Sequence, residues 1–234
     1  MLLYEDNYLI AINKPNNILV HHAKMANNVF EEKSLVEILK ETYSKKYYPI
    51  HRLDRKTSGI VLFAKEKEFV FPFQKIFQEN KIEKVYYGIV RGFTPKNLSI
   101  DSDVKGRDAL VYKTAFTKLE RLEKIEVPIA VTPYQNSRYS LVKLTPKTGR
   151  LHQLRIHTNK ISHPLIGDPK YGDRFHNRMF ARQFNCNKLF LHAKRITFEH
   201  PFLDSMLKIE APFSKDWHKI GKLFNWDIIT NTKI

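Results

Sequence analysis

The hydrophobic and polar positions of the first 65 residues follow two different periods. "LLYEDNYLIAINKP" contains two short apolar runs that flank Asp6-Asn7 and stop at Pro15, which is typical of two strands joined by a turn. "SLVEILKETYSKKY" has apolar residues at helical spacing, and Ser34 and Glu37 form a capping-box pattern, so it predicts a helix. "GIVLFAK" is short and apolar and follows a glycine, which predicts a buried strand.

The rest of the chain contains more strand patterns than helix patterns. "FPFQKIFQEN" predicts a helix that tolerates Pro72 only in its first turn, and "KVYYGIVRG" predicts a strand with Tyr86 and Tyr87 on opposite faces. "HQLRIHTNKI" and "SKDWHKIGKLF" predict helices, the second with Ser214 as its N-cap. Further strands are predicted at "VYKTAF", "RYSLVKLT", "RITFEH" and "LKIEAP". Because helices and strands do not alternate regularly, we expect an α+β fold with a mixed or mostly antiparallel central sheet and flanking helices.

The composition favours one compact domain over residues 1–234, since no internal repeat or Gly/Ser/Pro-rich linker divides the chain. The first residues, "MLLYEDNYLIAINKP", contain acids and no cationic leader, and the apolar runs are too short to span a membrane. A soluble cytoplasmic protein is therefore expected. A single cysteine, Cys186, excludes a disulfide within the chain and argues against a thiolate metal site.

The net charge of the chain indicates which class of molecule it binds. There are 40 Lys and Arg against 24 Asp and Glu, which gives a formal net charge of +16. Such an excess favours a polyanionic partner, with nucleic acid first and an anionic membrane surface second.

Basic residues concentrate in the segment from Leu144 to Asp173. Seven of them occur within seventeen positions around the turn "PKTGR": Lys147, Arg150, His152, Arg155, His157, Lys160 and His163. Backbone amides at a helix N-terminus beside such cations can bind phosphate. Residues 153–156 include only two apolar side chains, so we expect that this helix is not mainly core; the alternative is a solvated basic face. Neither phosphate-loop motifs nor zinc-type histidine spacings occur, so no metal site is expected.

The segment "HRLDRKTSGIVLFAK", His51–Lys65, places Asp54 among cations. Asp54 could form a surface ion pair with Arg52 or Arg55, cap a turn, or serve as a catalytic carboxylate. The neighbouring charges favour its ionised form, in which it could act as a nucleophile or base toward a ribose carbon. The following apolar strand would anchor its loop.

The same segment resembles the catalytic motif of the RluA-type family of RNA pseudouridine synthases. "AINKPNNILVHH", "KVYYGIVRG", "KTGRLHQLRIH", "HPLIGDPKYGD" and "LFLHAKRITFEHP" resemble further family motifs and follow in the family's order. The chain departs from the family at Asn16-Asn17, where a small residue and a glycine are usual, and at Leu151, where Thr or Lys is common. The likeness is greatest to members that modify uridine-65 of tRNA, and no S4-like RNA-binding domain is expected.

The resemblance implies the pseudouridine synthase catalytic fold and an isomerase that needs neither cofactor nor metal. It makes Asp54 the catalytic aspartate, which either attacks C1′ as a nucleophile or takes a proton from C2′ as a base. Tyr86 would stack on the base and help to remove the C5 proton, and Arg155 would pair with Asp54. The expected RNA contacts are His51, Arg52, Arg55, Lys84, Lys147, Arg150, His152 and Gln153.

Among these contacts, Arg52 would fill the space left by the flipped base. The expected substrate is tRNA, with rRNA as the alternative, and relatives of this kind are often monomers. An RNA-binding or folding factor without catalysis is the alternative of another class.

Overall fold

The structure is a computed structural model that describes residues 1–22, 32–105 and 111–231. The helices in these ranges are α1 Leu35–Tyr43, α2 Val70–Gln78, α3 Gln153–Lys160, α4 Arg174–Phe184, α5 Lys215–Phe224 and α6 Asp227–Thr230. The strands are β1 Leu2–Glu5, β2 Leu9–Lys14, β3 Tyr48–Pro49, β4 Ser58–Ala64, β5 Ile82–Arg91, β6 Asn97–Asp101, β7 Val104–Lys105, β8 Tyr112–Lys113, β9 Phe116–Val127, β10 Ser137–Pro146, β11 Leu191–Glu199 and β12 Met206–Glu210. This is the predicted α+β class, with a mixed central sheet and flanking helices. Within the described ranges, no helix is long and apolar enough to cross a membrane.

The chain divides into two compact units. Unit 1 comprises Met1–Glu83 and Ala193–Pro212, and unit 2 comprises Lys84–His192 and Phe213–Ile234. That residues 1–234 act as one domain stays a prediction.

Unit 1 is built on the strand order β1-β2-β4-β11, with β3 paired to β4 and β12 paired to β11. The predicted first turn is present, because Asp6 Oδ1 accepts hydrogen bonds from the amides of Tyr8 and Leu9 at 2.7 and 2.8 Å. All seven residues of β4 are buried, as its apolar run predicts. Ile60, Leu62 and Ala64 of this strand pack with Phe73 of α2 and Phe198 of β11 in one hydrophobic core.

The two predicted helices of unit 1 are confirmed. At the start of α1, the Glu37 carboxylate accepts from the Ser34 amide at 2.7 Å, and the Ser34 hydroxyl accepts from the Glu37 amide at 3.4 Å. This is the reciprocal capping box. Pro72 is the third residue of α2, where its missing N–H costs no helical hydrogen bond.

Unit 2 contains the strand order β5-β10-β9-β6, in which each neighbouring pair is antiparallel. Tyr86 and Tyr87 of β5 lie on opposite faces, as strand alternation predicts. Tyr86 packs against the cluster around Leu144, whereas Tyr87 packs against the second cluster of the unit, where its ring lies 5.5 Å from that of Phe213. Helices α4 and α5 contribute to that second cluster.

The expectation that α3 is not mainly core is wrong. Five of its eight residues are buried: Gln153, Leu154, Arg155, His157 and Thr158. The polar ones are accommodated because each finds partners inside the protein. The two ring nitrogens of His157, for example, lie 2.9 Å from the Thr117 hydroxyl and 2.8 Å from the Ser102 carbonyl oxygen. The basic segment is therefore not a single solvated face, since two of its cationic positions, Arg155 and His157, point into the protein.

Candidate active site

Asp54 lies in unit 1, in the loop between β3 and β4, and it is half-buried. The Thr57 amide donates to the Asp54 carbonyl oxygen at 3.0 Å, which closes a tight turn. On the two sides of this turn, Leu53 and Ser58 are buried, so the backbone on both sides of Asp54 is fixed by packing. At Gly59 (φ +110°), an added β-carbon would lie 2.3 Å from the Ala193 carbonyl oxygen, so only glycine fits where the loop enters β4.

A buried lysine is hydrogen-bonded to the backbone of this loop. The ammonium group of Lys14, at the end of β2, is fully buried and donates to the carbonyl oxygens of Pro15, Ile18 and Arg55 at 2.9, 2.9 and 3.0 Å. Three such bonds need all three N–H groups of the protonated side chain. Burial lowers the pKa of Lys14 to about 7, and the nearby charge of Asp54 opposes that shift. Lys14 therefore joins the turn after β2 to the residue that follows Asp54.

The turn after β2 makes two more bonds to the Asp54 loop. The Asn16 side-chain amide donates to the Lys56 carbonyl oxygen at 2.6 Å, and Arg55 Nε donates to the Asn17 carbonyl oxygen at 2.9 Å. Asn17 has φ +68°, in the left-handed region that asparagine tolerates better than most residues. The departure from the family at Asn16-Asn17 thus keeps a residue suited to this backbone and adds an amide that holds the loop.

The cations around Asp54 differ in their surroundings. Arg52 is exposed, and the guanidinium of Arg55 pairs with Glu32. The His51 Nε2 atom accepts from the Leu62 amide at 3.1 Å, and its ring stacks on Phe77 with a 4.8 Å separation of ring centres. Of the three, His51 is the most integrated into the fold, while Arg52 presents its charge to solvent.

In unit 2, Arg155 is held by an acid that sequence reasoning did not select. Arg155 Nε and Nη2 donate to the two carboxylate oxygens of Asp168 at 2.7 and 2.8 Å, and both side chains are buried. Burial would raise the pKa of Asp168, but the Arg155 guanidinium and the backbone amides of Tyr171 and Lys170 hold it below its usual value. The guanidinium also lies 5.1 Å from the centre of the Tyr171 ring. This bidentate pair fixes the plane of the guanidinium.

Gln153 holds the turn before α3, because its side-chain amide makes hydrogen bonds through both its oxygen and its nitrogen. Its oxygen accepts from the Thr148 hydroxyl at 2.7 Å and the Arg150 amide at 3.0 Å. Its nitrogen donates to the Phe116 carbonyl oxygen at 3.1 Å and the Thr117 hydroxyl at 3.0 Å. Gln153 is buried, so the structure gives it a place in shaping this turn. The expected RNA contact of Gln153 stays a prediction.

Several of the predicted RNA-binding residues of unit 2 lie on or beside this turn. Lys147 and Arg150 are exposed, and Arg150 Nε donates to the Thr114 carbonyl oxygen at 3.1 Å. His152 is half-buried, with Nδ1 3.0 Å from the Tyr171 hydroxyl. A β-carbon added to Gly149 would lie 3.8 Å from Lys84 Nζ, so the Lys84 side chain reaches the same turn. Burial lowers the pKa of Lys84.

The predicted site residues therefore fall into two groups, one in each unit. The loop that carries Asp54 belongs to unit 1, whereas Tyr86, Arg155 and the turn of Lys147 to His152 belong to unit 2. Two supporting residues were not selected from the sequence, Lys14 and Asp168. The signal for Lys14 was its position directly after the apolar run of β2, where a lysine must find buried partners. Asp168 had no such local signal, because its partner is 13 residues away on a helix. Within the described part of the chain, no group of three or more His, Cys, Asp or Glu side chains could hold a metal ion.

Comparison with known proteins identifies the family. Residues 8–160 match the model of a family described as RNA pseudouridylate synthase. The chain belongs to the RNA pseudouridylate synthase family. Members of this family are isomerases, and the match includes Asp54, Tyr86 and Arg155 together with Lys14.

Full-length relatives agree with this assignment. The chain is 39% identical over 236 residues to a protein of Haemophilus ducreyi named tRNA pseudouridine synthase C, with 96% of each chain covered. It is 35% identical to the protein of the same name from Vibrio parahaemolyticus, with 97% of this chain and 95% of that one covered. The solved structure of human RNA Pseudouridylate Synthase Domain Containing 1 has a TM-score of 0.71 at 22% identity, covering 91% of this chain and 82% of that chain. The structural likeness supports the fold.

Proposed function

We propose that this pseudouridine synthase isomerises uridine-65 of tRNA, with Asp54 as its catalytic carboxylate. The observation that carries the choice of tRNA is the near-complete alignment with relatives named tRNA pseudouridine synthase C. The choice of Asp54 is supported by the way the fold holds its loop, with three side chains bonded across to the turn after β2. A carboxylate held in this way can act on a ribose without first paying the cost of ordering its loop.

The proposed reaction conserves every atom of the substrate. The N1–C1′ bond of uridine breaks, the uracil turns, C5 bonds to C1′, and the proton leaves C5 while N1 gains one. Asp54 either attacks C1′ to form a covalent intermediate or removes a C2′ proton to form a glycal. Neither route needs a cofactor. The target nucleotide must leave its stack, because its C1′ and C5 are not accessible within a duplex.

Tyr86 and Arg155 have separate roles in the proposal. Tyr86 stacks on the uracil, and its hydroxyl assists removal of the C5 proton. Arg155 pairs with Asp54, which orients the carboxylate and favours its charged form. Arg155 Nε and Nη2 bind Asp168, which holds the plane of the guanidinium for this role. In this proposal, Asp168 is a positioning residue that acts through Arg155.

The exposed cations bind the RNA around the target. Arg52 fills the space left by the flipped base, and Lys147 and Arg150 bind phosphates beside it. Lys84, His51, Arg55, His152 and Gln153 support these contacts or make their own. All of these residues come from one chain, so the proposal is for a monomer.

The test is tritium release from tRNA transcribed with C5-tritiated uridine. The wild-type protein is expected to release tritium, and Asp54→Asn is expected to lower the rate by at least about a thousandfold while RNA binding is retained. The matched control is Asp204→Asn, which removes the same charge at an exposed position and is expected to keep full activity. Loss of RNA binding by Asp54→Asn would make Asp54 a structural residue instead.

The identity of the RNA needs a separate experiment. Pseudouridine is mapped across tRNA and rRNA in cells with and without the gene. Loss of the modification at tRNA position 65 alone is expected. If every lost site were ribosomal, the enzyme would act on rRNA. If no site were lost and no tritium were released in vitro, the chain would be an RNA-binding or folding factor.

A further inference from the structure

Helix α4 carries a row of arginines on its outer face. Arg174, Arg178 and Arg182 are each four residues apart and all are exposed, so they lie along one side of the helix over about 12 Å. We call this side the α4 face. The opposite side of α4 is buried through Met179 and Phe180.

The guanidinium groups of the α4 face lack a carboxylate partner among the residues that the structure describes. None of its three guanidinium groups forms an ion pair with a carboxylate in residues 1–22, 32–105 or 111–231. Other arginines of the same unit do have such partners: Arg91 pairs with Asp173, and Arg138 with Glu126. Like charges four residues apart repel one another, and a cation in the first turn opposes the helix dipole. This arrangement is unfavourable for the isolated helix, whereas a row of phosphates would stabilise it.

A cleft lies at the N-terminal end of the α4 face. Its volume is about 650 Å³, and it is lined by residues that include Tyr134 and Phe175. These rings are 71% and 50% exposed, which is unusual for aromatic side chains of this size. The guanidinium of Arg174 lies 4.8 Å from the centre of the Phe175 ring, so the cleft and the α4 face adjoin. We call this the aromatic cleft.

The charges that line the aromatic cleft are balanced, in contrast to the α4 face. Arg91 contacts Asp173 at 2.6 Å, and Arg138 contacts Glu126 at 2.9 Å. A neutral group with flat apolar faces and polar edges suits this lining better than a phosphate does. Nucleobases have these properties, and exposed aromatic rings are the usual platforms on which unpaired bases stack.

The aromatic cleft extends away from Tyr86. Arg91, in the cleft lining, is five residues after Tyr86 along β5, which is about 17 Å in an extended strand. An RNA bound at both Tyr86 and the aromatic cleft would have to span this distance on unit 2. The cleft is therefore separate from the proposed position of the reacting uridine.

We propose that the α4 face and the aromatic cleft form a second RNA-docking surface, where the arginines bind backbone phosphates and the cleft holds one unpaired base. The inference rests on the proposed function, because the RNA is the substrate of the same enzyme. It adds a site for a part of the RNA that does not react.

The test compares charge-matched variants in binding to an unmodified tRNA transcript. Arg178→Gln/Arg182→Gln removes two charges from the α4 face, and Lys40→Gln/Lys67→Gln removes two from exposed positions of unit 1. The arginine variant is expected to make the negative slope of log binding constant against log salt shallower by about 1.5, since each phosphate contact contributes about 0.7 to 0.9 to its magnitude. The lysine variant is expected to keep the wild-type slope and affinity. Equal slopes for the two variants would overturn the role of the α4 face.

The cleft is tested by removing and restoring one ring. Tyr134→Ala is expected to weaken tRNA binding about five- to a hundredfold, the range for loss of one stacked base, without changing the salt slope. Tyr134→Phe keeps the ring and is expected to bind like the wild type. If Tyr134→Ala also bound like the wild type, the cleft would not hold a base.

These results separate failure of the docking surface from failure of the proposed function. In tritium release, the arginine variant and Tyr134→Ala are expected to raise KM. Release by the wild type together with unchanged binding by both variants would overturn the docking surface alone. If the wild type released no tritium, the proposed function would fail, while the binding comparison would still decide the docking surface.

Discussion

At the residue scale, Lys14 shows how a basic side chain can serve a carboxylate without pairing with it. Its ammonium group binds three backbone carbonyl oxygens, one of them belonging to the residue after Asp54. Asp54 also lies close enough for its charge to oppose the lowering of the Lys14 pKa by burial. Lys14 is therefore a positioning residue for the Asp54 loop.

We predict that Lys14→Met lowers the free energy of unfolding by about 2 to 4 kcal/mol, because three carbonyl oxygens lose their charged donor. Urea unfolding at pH 7 measures this change. In tritium release, kcat is expected to fall more than tRNA affinity does, since the loop shapes the reacting end of the site. Lys67→Met, at an exposed lysine, is the control and should change neither quantity. Unaltered kcat in a folded Lys14→Met protein would contradict the positioning role.

The partners of individual side chains are the feature that the sequence predicts least well. Although their roles stay predictions, Asp54, Tyr86 and Arg155 could be proposed as site residues from motifs, because the motifs are local in sequence. The Arg155–Asp168 pair could not, since it depends on how α3 meets the loop that follows it. Gln153 is predicted to contact RNA, and its four intramolecular partners come from two separate segments, 116–117 and 148–150, that no local pattern connects.

At the element scale, two N-cap serines that look alike in sequence behave differently in the structure. Ser34 accepts the amide hydrogen bond of Glu37 at the start of α1. Ser214 also has the extended backbone of an N-cap, but its hydroxyl makes no capping bond to α5. The sequence predicts where each helix begins, whereas the side-chain bond depends on the rotamer that packing permits.

We predict that Ser34→Ala destabilises the protein by about 1 kcal/mol, the usual effect of losing a capping side chain. Ser214→Ala serves as the internal comparison and is expected to have an effect of less than about 0.5 kcal/mol, because no capping bond is lost. Chemical denaturation of the two variants beside the wild type checks both values. A larger effect at Ser214 than at Ser34 would contradict the bonding seen here.

The helices and strands themselves were largely predictable. Strand β4 and helix α1 follow directly from apolar periodicity, and Tyr86 and Tyr87 face opposite ways as strand alternation requires. Helix α3 differs from the prediction because its low apolar content does not make it exposed. Buried polar residues that satisfy one another, such as His157 with Thr117, are invisible to a count of hydrophobic positions.

At the scale of the whole molecule, several buried histidines make stability depend on pH. Burial lowers the pKa of His157, His176 and His200 below 6.5. The unfolded chain therefore binds more protons than the native protein as the pH falls below about 6.5. The contribution of these groups is present above that pH and is lost as the pH falls through their native pKa values.

We predict that the free energy of unfolding decreases between pH 6.5 and pH 5, before most carboxylates titrate. His157→Gln should be less stable at pH 7 because its two hydrogen bonds are disturbed, yet it should lose less stability than the wild type on going to pH 5. Urea unfolding at both pH values for both proteins gives the comparison. An identical loss in both proteins would mean that His157 is not among the groups responsible.

The bonds between the turn after β2 and the Asp54 loop also set a condition for protein engineering. Lys14 and Arg55 are 41 positions apart, and Asn16 and Lys56 are 40 apart, so the loop's conformation is specified by two distant stretches of chain. A peptide copied from residues 51 to 65 would contain the whole proposed catalytic motif but only one partner of each bond that joins it to the turn after β2. Transplanting the loop into another scaffold would require the segment from Asn13 to Ile18 to be transplanted with it.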